Sequence, residues 1–342
     1  MISKHKISKR ISKSQVYLKT WVKTFSGSLT LFCLVILTFL PFISQDKEFT
    51  HYFLPQFTLA FIYAIFAASW DLITGITGQA NFGHAIFFGI AGYITGALLV
   101  DYTGMSLLFA IIMGIIVAVI FGLLIGIPSL KLKGPYLMLV TLTFGIILLK
   151  LFSMGSLANI FRGNEGIVLP PLFNDPIGEY FILFISTIIV FIFLIQLSKS
   201  KFGTILKSIR DDEVGSDASG INTMKYKIYA FMLSAMFAGL AGIYFALHFQ
   251  TVNPSGNLSM GISFTAILMA SLGGIGTIKG SAVGAFFFIF LEFILLEIGF
   301  ELNLVRILFA VILILVVRFA ERGILAPIIE HLKELWDVLL GR

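Results

Sequence analysis

The chain has 342 residues, 58% of them hydrophobic and only 12% charged, with a formal net charge of +6. Soluble domains carry about a quarter charged residues, so this balance excludes an ordinary soluble globular protein, and apolar stretches that are continuous rather than alternating disfavour a closed β-barrel. One cysteine, Cys33, excludes an intrachain disulfide and a cysteine metal cluster.

The first 28 residues are polar and basic and read as a cytoplasmic tail. Apolar runs follow near 29–43, 53–75, 85–100, 107–127, 136–153, 179–197, 228–249, 261–275, 281–298 and 304–318. A spanning helix needs about 20 mostly apolar residues. The fold class expected is therefore all-α: a polytopic membrane bundle of about ten spans across 29–318, with 319–342 as a cytoplasmic amphipathic helix. The run from 29 has no convincing small-residue cleavage site and is expected to remain as a span, with Cys33 a buried, inert thiol inside it. Abundant Gly (32) and Phe (36) suit such a bundle, glycine allowing close backbone contact and phenylalanine facing lipid. The 261–275 run is short for a crossing, so a re-entrant segment is the alternative there.

Charge orients the spans. With a cytoplasmic N-terminus, an even number of spans returns the C-terminus to the same side, and 20 of the 24 Lys and Arg residues then fall inside. Lys47, Lys150, Arg162 and Arg306 fall on or near the outer side, as do Asp46, Glu48, Asp101, Glu165, Asp175, Glu179, Glu297 and Glu301. The positive net charge thus reports topology, not nucleic-acid binding.

Two segments break the pattern. Gly75 to Gly83 reads GITGQANFG and Gly273 to Gly280 reads GGIGTIKG. Both follow a span running inward and precede one running outward, which hints at a parallel internal repeat. Irregular backbone at membrane depth survives only against protein or a water-filled cavity. Gly78, Gln79, Asn81, Gly83 and His84 in the first segment, with Gly273, Gly274 and Gly276 in the second, are accordingly the expected translocation-path residues; ordinary cytoplasmic turns are the bland alternative. Gln79 and Asn81 can contact a zwitterionic substrate or satisfy local backbone. His84 reads more readily as a structural hydrogen-bonding group, and Thr141 and Thr143 as bonding back to their own helix.

Residues 198–227 form the longest internal hydrophilic loop after the tail. The spacing predicts one short helix over 203–218, with Ile205, Ile209 and Val214 on one side, Lys207, Arg210, Asp211 and Asp212 around the rest, and Gly220 ending it. Such a helix suits a groove on another protein; a solvated loop is the alternative. Asn164 and Glu165 lie in an outer loop, either as a solvated turn or as a contact for an external protein.

Taken together, TGITGQANFGHAIFFGIAGY (Thr74 to Tyr93), GPYLMLVTLTFGIILL (Gly134 to Leu149), RGNEGI (Arg162 to Ile167), the Phe202 to Lys227 loop and ASLGGIGTIKGSAVGAF (Ala270 to Phe286) resemble the branched-chain amino acid permease family of ABC importers, most closely its LivM-type subunit. The blocks run in family order from about Phe53 to Arg318. The resemblance implies a second, similar permease, two cytoplasmic ATPases that use ATP and Mg²⁺, an external substrate-binding protein, membrane lipid around the spans, and placement in a bacterial cytoplasmic (inner) membrane. It also implies an ATPase-coupling helix centred on Ser208 to Gly220, with Arg210, Asp211, Asp212 and Glu213 within it. Two positions depart from the family pattern: Asp71 where many relatives carry Asn, and Ser281 where they often carry Pro. A carboxyl in an apolar run costs about 2.5–3.5 kcal/mol at a helix centre, so Asp71 is expected near the inner end, hydrated or paired.

No phosphate-binding loop is present; Gly274 to Gly280 lacks both the preceding Gly and the following Ser/Thr around Lys279 that such a loop needs. Five scattered histidines give no metal spacing, and no nucleophile–base arrangement points to catalysis. The chain is therefore expected to be no enzyme and to bind no cofactor itself. Rival readings are a sister permease for urea, another amino acid or an aromatic acid, and a stand-alone secondary transporter or channel, for which only Asp71 and Glu292 qualify as embedded carboxylates. A membrane scaffold or enzyme has no feature in its favour.

Overall fold

The computed structural model describes residues 25–43, 49–102, 104–132, 134–157, 162–171, 173, 175–319 and 323. The expected tail over most of 1–28 and the expected C-terminal helix over 319–342 lie almost wholly outside the described residues. The described residues fall into two compact units, those up to 54 and those from 55 onward. In the first, α1 (Phe25–Phe39) closes in a tight turn at Leu40–Phe42, and a wide turn at Phe49–Phe53 leads to the next helix. Phe32, Val35, Ile36 and Phe39 of α1 are exposed, as suits a helix whose solvent is lipid. Cys33 is exposed too, which corrects the expectation of a buried thiol: every side of this short helix is apolar, so composition does not say which side is packed.

The second unit is a bundle of α2 (Leu54–Asp71), α3 (Ala85–Asp101), α4 (Leu107–Ser129), α5 (Pro135–Ser153), α6 (Pro176–Lys199), the short helices α7 (Lys201–Asp211) and α8 (Glu213–Ala218), then α9 (Thr223–Phe249), α10 (Pro254–Asn257), α11 (Met260–Gly273), α12 (Ile278–Glu297) and α13 (Leu302–Phe319). Among the described residues seven helical stretches are long and apolar enough to cross a membrane: 49–76, 107–129, 135–153, 176–199, 223–249, 254–273 and 278–297. The apolar helices 27–42, 85–101 and 302–316 are shorter. The fold is thus a multi-pass membrane helical bundle, with helices long enough for a full crossing at seven of the ten apolar runs among the described residues.

Small residues set the packing. Along α4, Ala110, Gly114, Ala118, Gly122 and Gly126 are buried at four-residue spacing, while Leu108, Ile112, Ile116, Ile120 and Leu124 point outward. This stripe lets α9 approach closely: a Cβ on Gly122 would lie 2.7 Å from the Ala235 Cβ, and one on Gly242 only 1.9 Å from the Phe88 carbonyl oxygen of α3. An aromatic cluster of Phe61, Tyr180, Phe184 and Phe286 joins α2, α6 and α12.

The all-α expectation misses one element. Ile167–Val168 (β1) pairs antiparallel with Thr251–Val252 (β2), Ile167 facing Val252 and Val168 facing Thr251. Gly166 enters this ribbon at φ +73, where a side chain would meet the Val252 carbonyl oxygen at 2.0 Å.

Candidate functional site

The seam lies where α2 ends. Its last turn widens into a π-type turn over Leu72–Ile76, after which Thr77 to His84 run without regular structure. This stretch climbs alongside the bundle, since the Phe82 amide donates to Thr141 Oγ1 at 3.1 Å and Thr141 lies six residues into α5, about 9 Å from its start. The backbone freed by the break is satisfied by side chains. Trp70 Nε1 donates to the Asn81 carbonyl at 2.7 Å, Asn81 Oδ1 accepts from the Gly83 amide at 2.9 Å, and Ser263 Oγ accepts from the Ala85 amide at 2.9 Å. Gly83 is required there: a Cβ would sit 2.1 Å from the Thr141 carbonyl oxygen.

Of the expected path residues in this segment, Asn81 and His84 are fully enclosed and used locally. His84 Nε2 lies 2.8 Å from Ser69 Oγ, and its ring stacks on Phe66 at 4.9 Å between centroids. Thr141 and Thr143 bond back to their own helix, at 3.0 Å and 2.8 Å. Gly78 and Gln79, by contrast, line a cavity of about 390 Å³ that also takes in Leu137, Ile209, Arg210 and Asp212.

The second glycine-rich segment is the turn between α11 and α12. Gly273 and Gly280 lie in backbone contact, where a Cβ on Gly273 would be 1.8 Å from the Gly280 carbonyl oxygen, and Gly274 and Gly276 adopt φ of +102 and +83. The two glycine segments meet through Asp71. Its Oδ1 accepts from the Gly276 amide at 2.6 Å across 205 residues of sequence, while Oδ2 is buried with no partner among the described residues. Asp71 is fully buried, so of the two expected alternatives, hydrated or paired, it takes the second through this backbone amide.

Arg210 arrives at the same point from α7. Nη1 donates to the Gly75 carbonyl at 3.0 Å, and the aliphatic stem packs on Gly78, whose absent Cβ would lie 2.8 Å from Arg210 Cγ. Nε and Nη2 both hold Asp211 Oδ1, at 3.0 Å and 2.9 Å. The loop is two helices rather than the single helix expected over 203–218. Asp212 is extended (φ −153, ψ 100) and its Oδ1 caps α8 by accepting from the Gly215 amide at 2.9 Å. Because of that break Val214 leaves the register of Ile209 and stands 70% exposed, while Leu206 and Ile209 are buried.

The loop is braced twice more. Ser208 Oγ and Ser216 Oγ are 2.8 Å apart across the two short helices, and Glu213 pairs with Lys227 of α9, whose side chain is 2% exposed. Gly220 closes the loop at φ +85. Leu206 and Lys227 escaped sequence reasoning; a second lysine two residues beyond Lys225, where the helix turns apolar, was the available signal. Asn164 and Glu165 are both exposed, in a bend with positive φ at Arg162, Gly163 and Gly166, beside an Arg162–Asp101 pair at 2.6 Å.

The described residues form a glycine-broken helical bundle of apolar helices with a polar two-helix loop seated on the breaks, the class of multi-pass membrane proteins. Residues 53–317 match the family model described as the branched-chain amino acid transport system / permease component, and the chain belongs to that family. It is 27% identical over 248 residues to the high-affinity branched-chain amino acid transport system permease protein LivM of Escherichia coli, covering 64% of this chain and 58% of that protein. It is also 27% identical over 318 residues to a probable LivM of Methanocaldococcus jannaschii, covering 77% and 90%. With the permease protein LivH of Salmonella typhimurium it shares 26% over 263 residues, covering 68% and 82%. No solved structure matches.

Proposed function

We propose that this chain is a membrane-spanning subunit of an ATP-driven importer for branched-chain amino acids, working with a second, homologous permease, two cytoplasmic ATPases and an external binding protein. In this reading all ten apolar runs cross a bacterial cytoplasmic membrane with both termini inside. ATP and Mg²⁺ are bound by the ATPases, while this chain supplies shape and coupling and binds no cofactor. α7 and α8 form the coupling element, presenting Asp211, Asp212 and Val214 outward to an ATPase groove. Asn164 and Glu165 face the binding protein.

One observation carries the reading. Arg210, on the exposed loop, hydrogen-bonds the backbone of the glycine break at Gly75, so a push on α7 is delivered directly to the point where helix α2 is discontinuous. Charge reversal at Arg210 and Asp212 (R210E/D212K) removes that bond and the α8 cap. In the reconstituted transporter the variant is expected to insert and assemble normally but to lose ATPase stimulation by the loaded binding protein. Normal uptake by that variant would refute the coupling assignment. Competition by leucine, isoleucine and valine, set against urea and aromatic acids, assigns the substrate.

A further inference from the structure

At the end of the second unit opposite the Gly273–Gly280 turn, a cavity of about 860 Å³ opens between α10, α11, α12 and α13, with Tyr63 of α2 at its wall. Its volume falls within the range of small-molecule sites, about 300–1,000 Å³. Glu292 of α12 and Arg306 of α13 both line it, with Phe264, Leu268, Phe309 and Leu313 forming the apolar wall. Glu292 lies five residues before the end of α12 and Arg306 four residues after the start of α13, so both sit about 6–8 Å inside the helix ends. Ionisable groups within apolar spans pair with each other or face a cavity. Among the described residues neither of these closes a hydrogen bond or an ion pair; each faces the same space.

A cavity bordered by one anion, one cation, a few hydroxyl side chains and an apolar wall is complementary to a small zwitterion with an apolar side chain. A neutral solute satisfies neither charge, and a singly charged one satisfies only one. We propose that Glu292 and Arg306 bind the ammonium and carboxylate of an amino acid during passage, with Phe264, Leu268, Phe309 and Leu313 receiving its aliphatic side chain. This site rests on the importer reading given above and names its substrate-contacting residues, which lie far along α12 from the glycine seam.

The test uses the assembled transporter, purified with its partner subunits but without the binding protein, and tritiated leucine as the probe. Glu292→Gln and Arg306→Gln should each weaken leucine binding at least ~10-fold, and Arg306→Lys less, with assembly on size exclusion retained. Wild-type binding in both Gln variants, or no leucine binding by the unsubstituted transporter, overturns the site. Loss of binding in the Arg306→Lys variant only together with loss of assembly makes the pair a structural anchor and overturns it as well. The importer reading fails by a different result, leucine bound normally but no uptake driven by nucleotide.

Discussion

Asp71 offers the sharpest check on the seam. Its carboxyl is fully buried and accepts one hydrogen bond, from the Gly276 amide at 2.6 Å, while the other oxygen has no partner among the described residues. Asp71→Ala leaves that amide without its acceptor, a loss of about 1–3 kcal/mol. Because Gly276 itself is only half-buried, water can reach part of the gap, and the lower half of that range applies. Asp71→Asn keeps an oxygen for the Gly276 amide, removes the desolvated charge and adds a donor where Oδ2 now stands alone, so its expected change is under about 1 kcal/mol in either direction. Thermal unfolding of the detergent-purified transporter reads the difference, the Ala variant melting about 2–5 °C lower and the Asn variant close to the parent. Equal destabilisation by both substitutions, or none by Ala, would refute the reasoning that this carboxyl acts as a hydrogen-bond acceptor tying two glycine segments.

Two further outcomes follow from the packing. Glu213→Ala strands the ammonium of Lys227, 2% exposed, and should lower stability by about 2–3 kcal/mol, whereas Lys227→Met frees a carboxylate that is already 32% exposed and should cost under about 1 kcal/mol; comparing the two melting temperatures checks the asymmetry. Gly242→Ala puts a methyl 1.9 Å from the Phe88 carbonyl oxygen, so α3 and α9 must separate at a cost of about 3 kcal/mol or more, visible as poor assembly on size exclusion, while Gly155→Ala, with open space around it, should assemble as the parent does.

The spans were legible because lipid forces a helix to be apolar along its whole length. The run expected at 107–127 is the helix Leu107–Ser129, and the run at 136–153 is Pro135–Ser153. The charged loop and its terminating Gly220 were legible as well. What sequence could not give were pairings over long separations. Asp71 finds Gly276 across 205 residues, and Arg210 finds Gly75 across 135, with no local pattern announcing either. The two-residue strands of the ribbon are too short for any alternation to register. The break at Asp212 was misread because acidic residues at 211–213 fit a helix surface as well as a cap; only the extended backbone at Asp212 decides between them.

The glycine seam joins these pieces into one mechanical argument. Gly75 carries no side chain because the Asp71 carboxylate and the Gly276 amide occupy that space, at 2.0 Å and 2.4 Å from where a Cβ would stand. The same carbonyl that Gly75 presents is the one Arg210 holds. Three separate stretches of chain therefore converge on a single peptide group: the end of α2, the α11–α12 turn and the loop helix α7. On the proposed function, that convergence explains why the loop needs bracing by Ser208–Ser216 and Glu213–Lys227, since a lever that flexes internally transmits nothing. It also explains why the joint is built from glycine and one carboxylate. Backbone contacts with few side chains can part and re-form without repacking a core, whereas the interlocked α3, α4 and α9 helices cannot, so on the proposed function a push at α7 would be taken up at the seam.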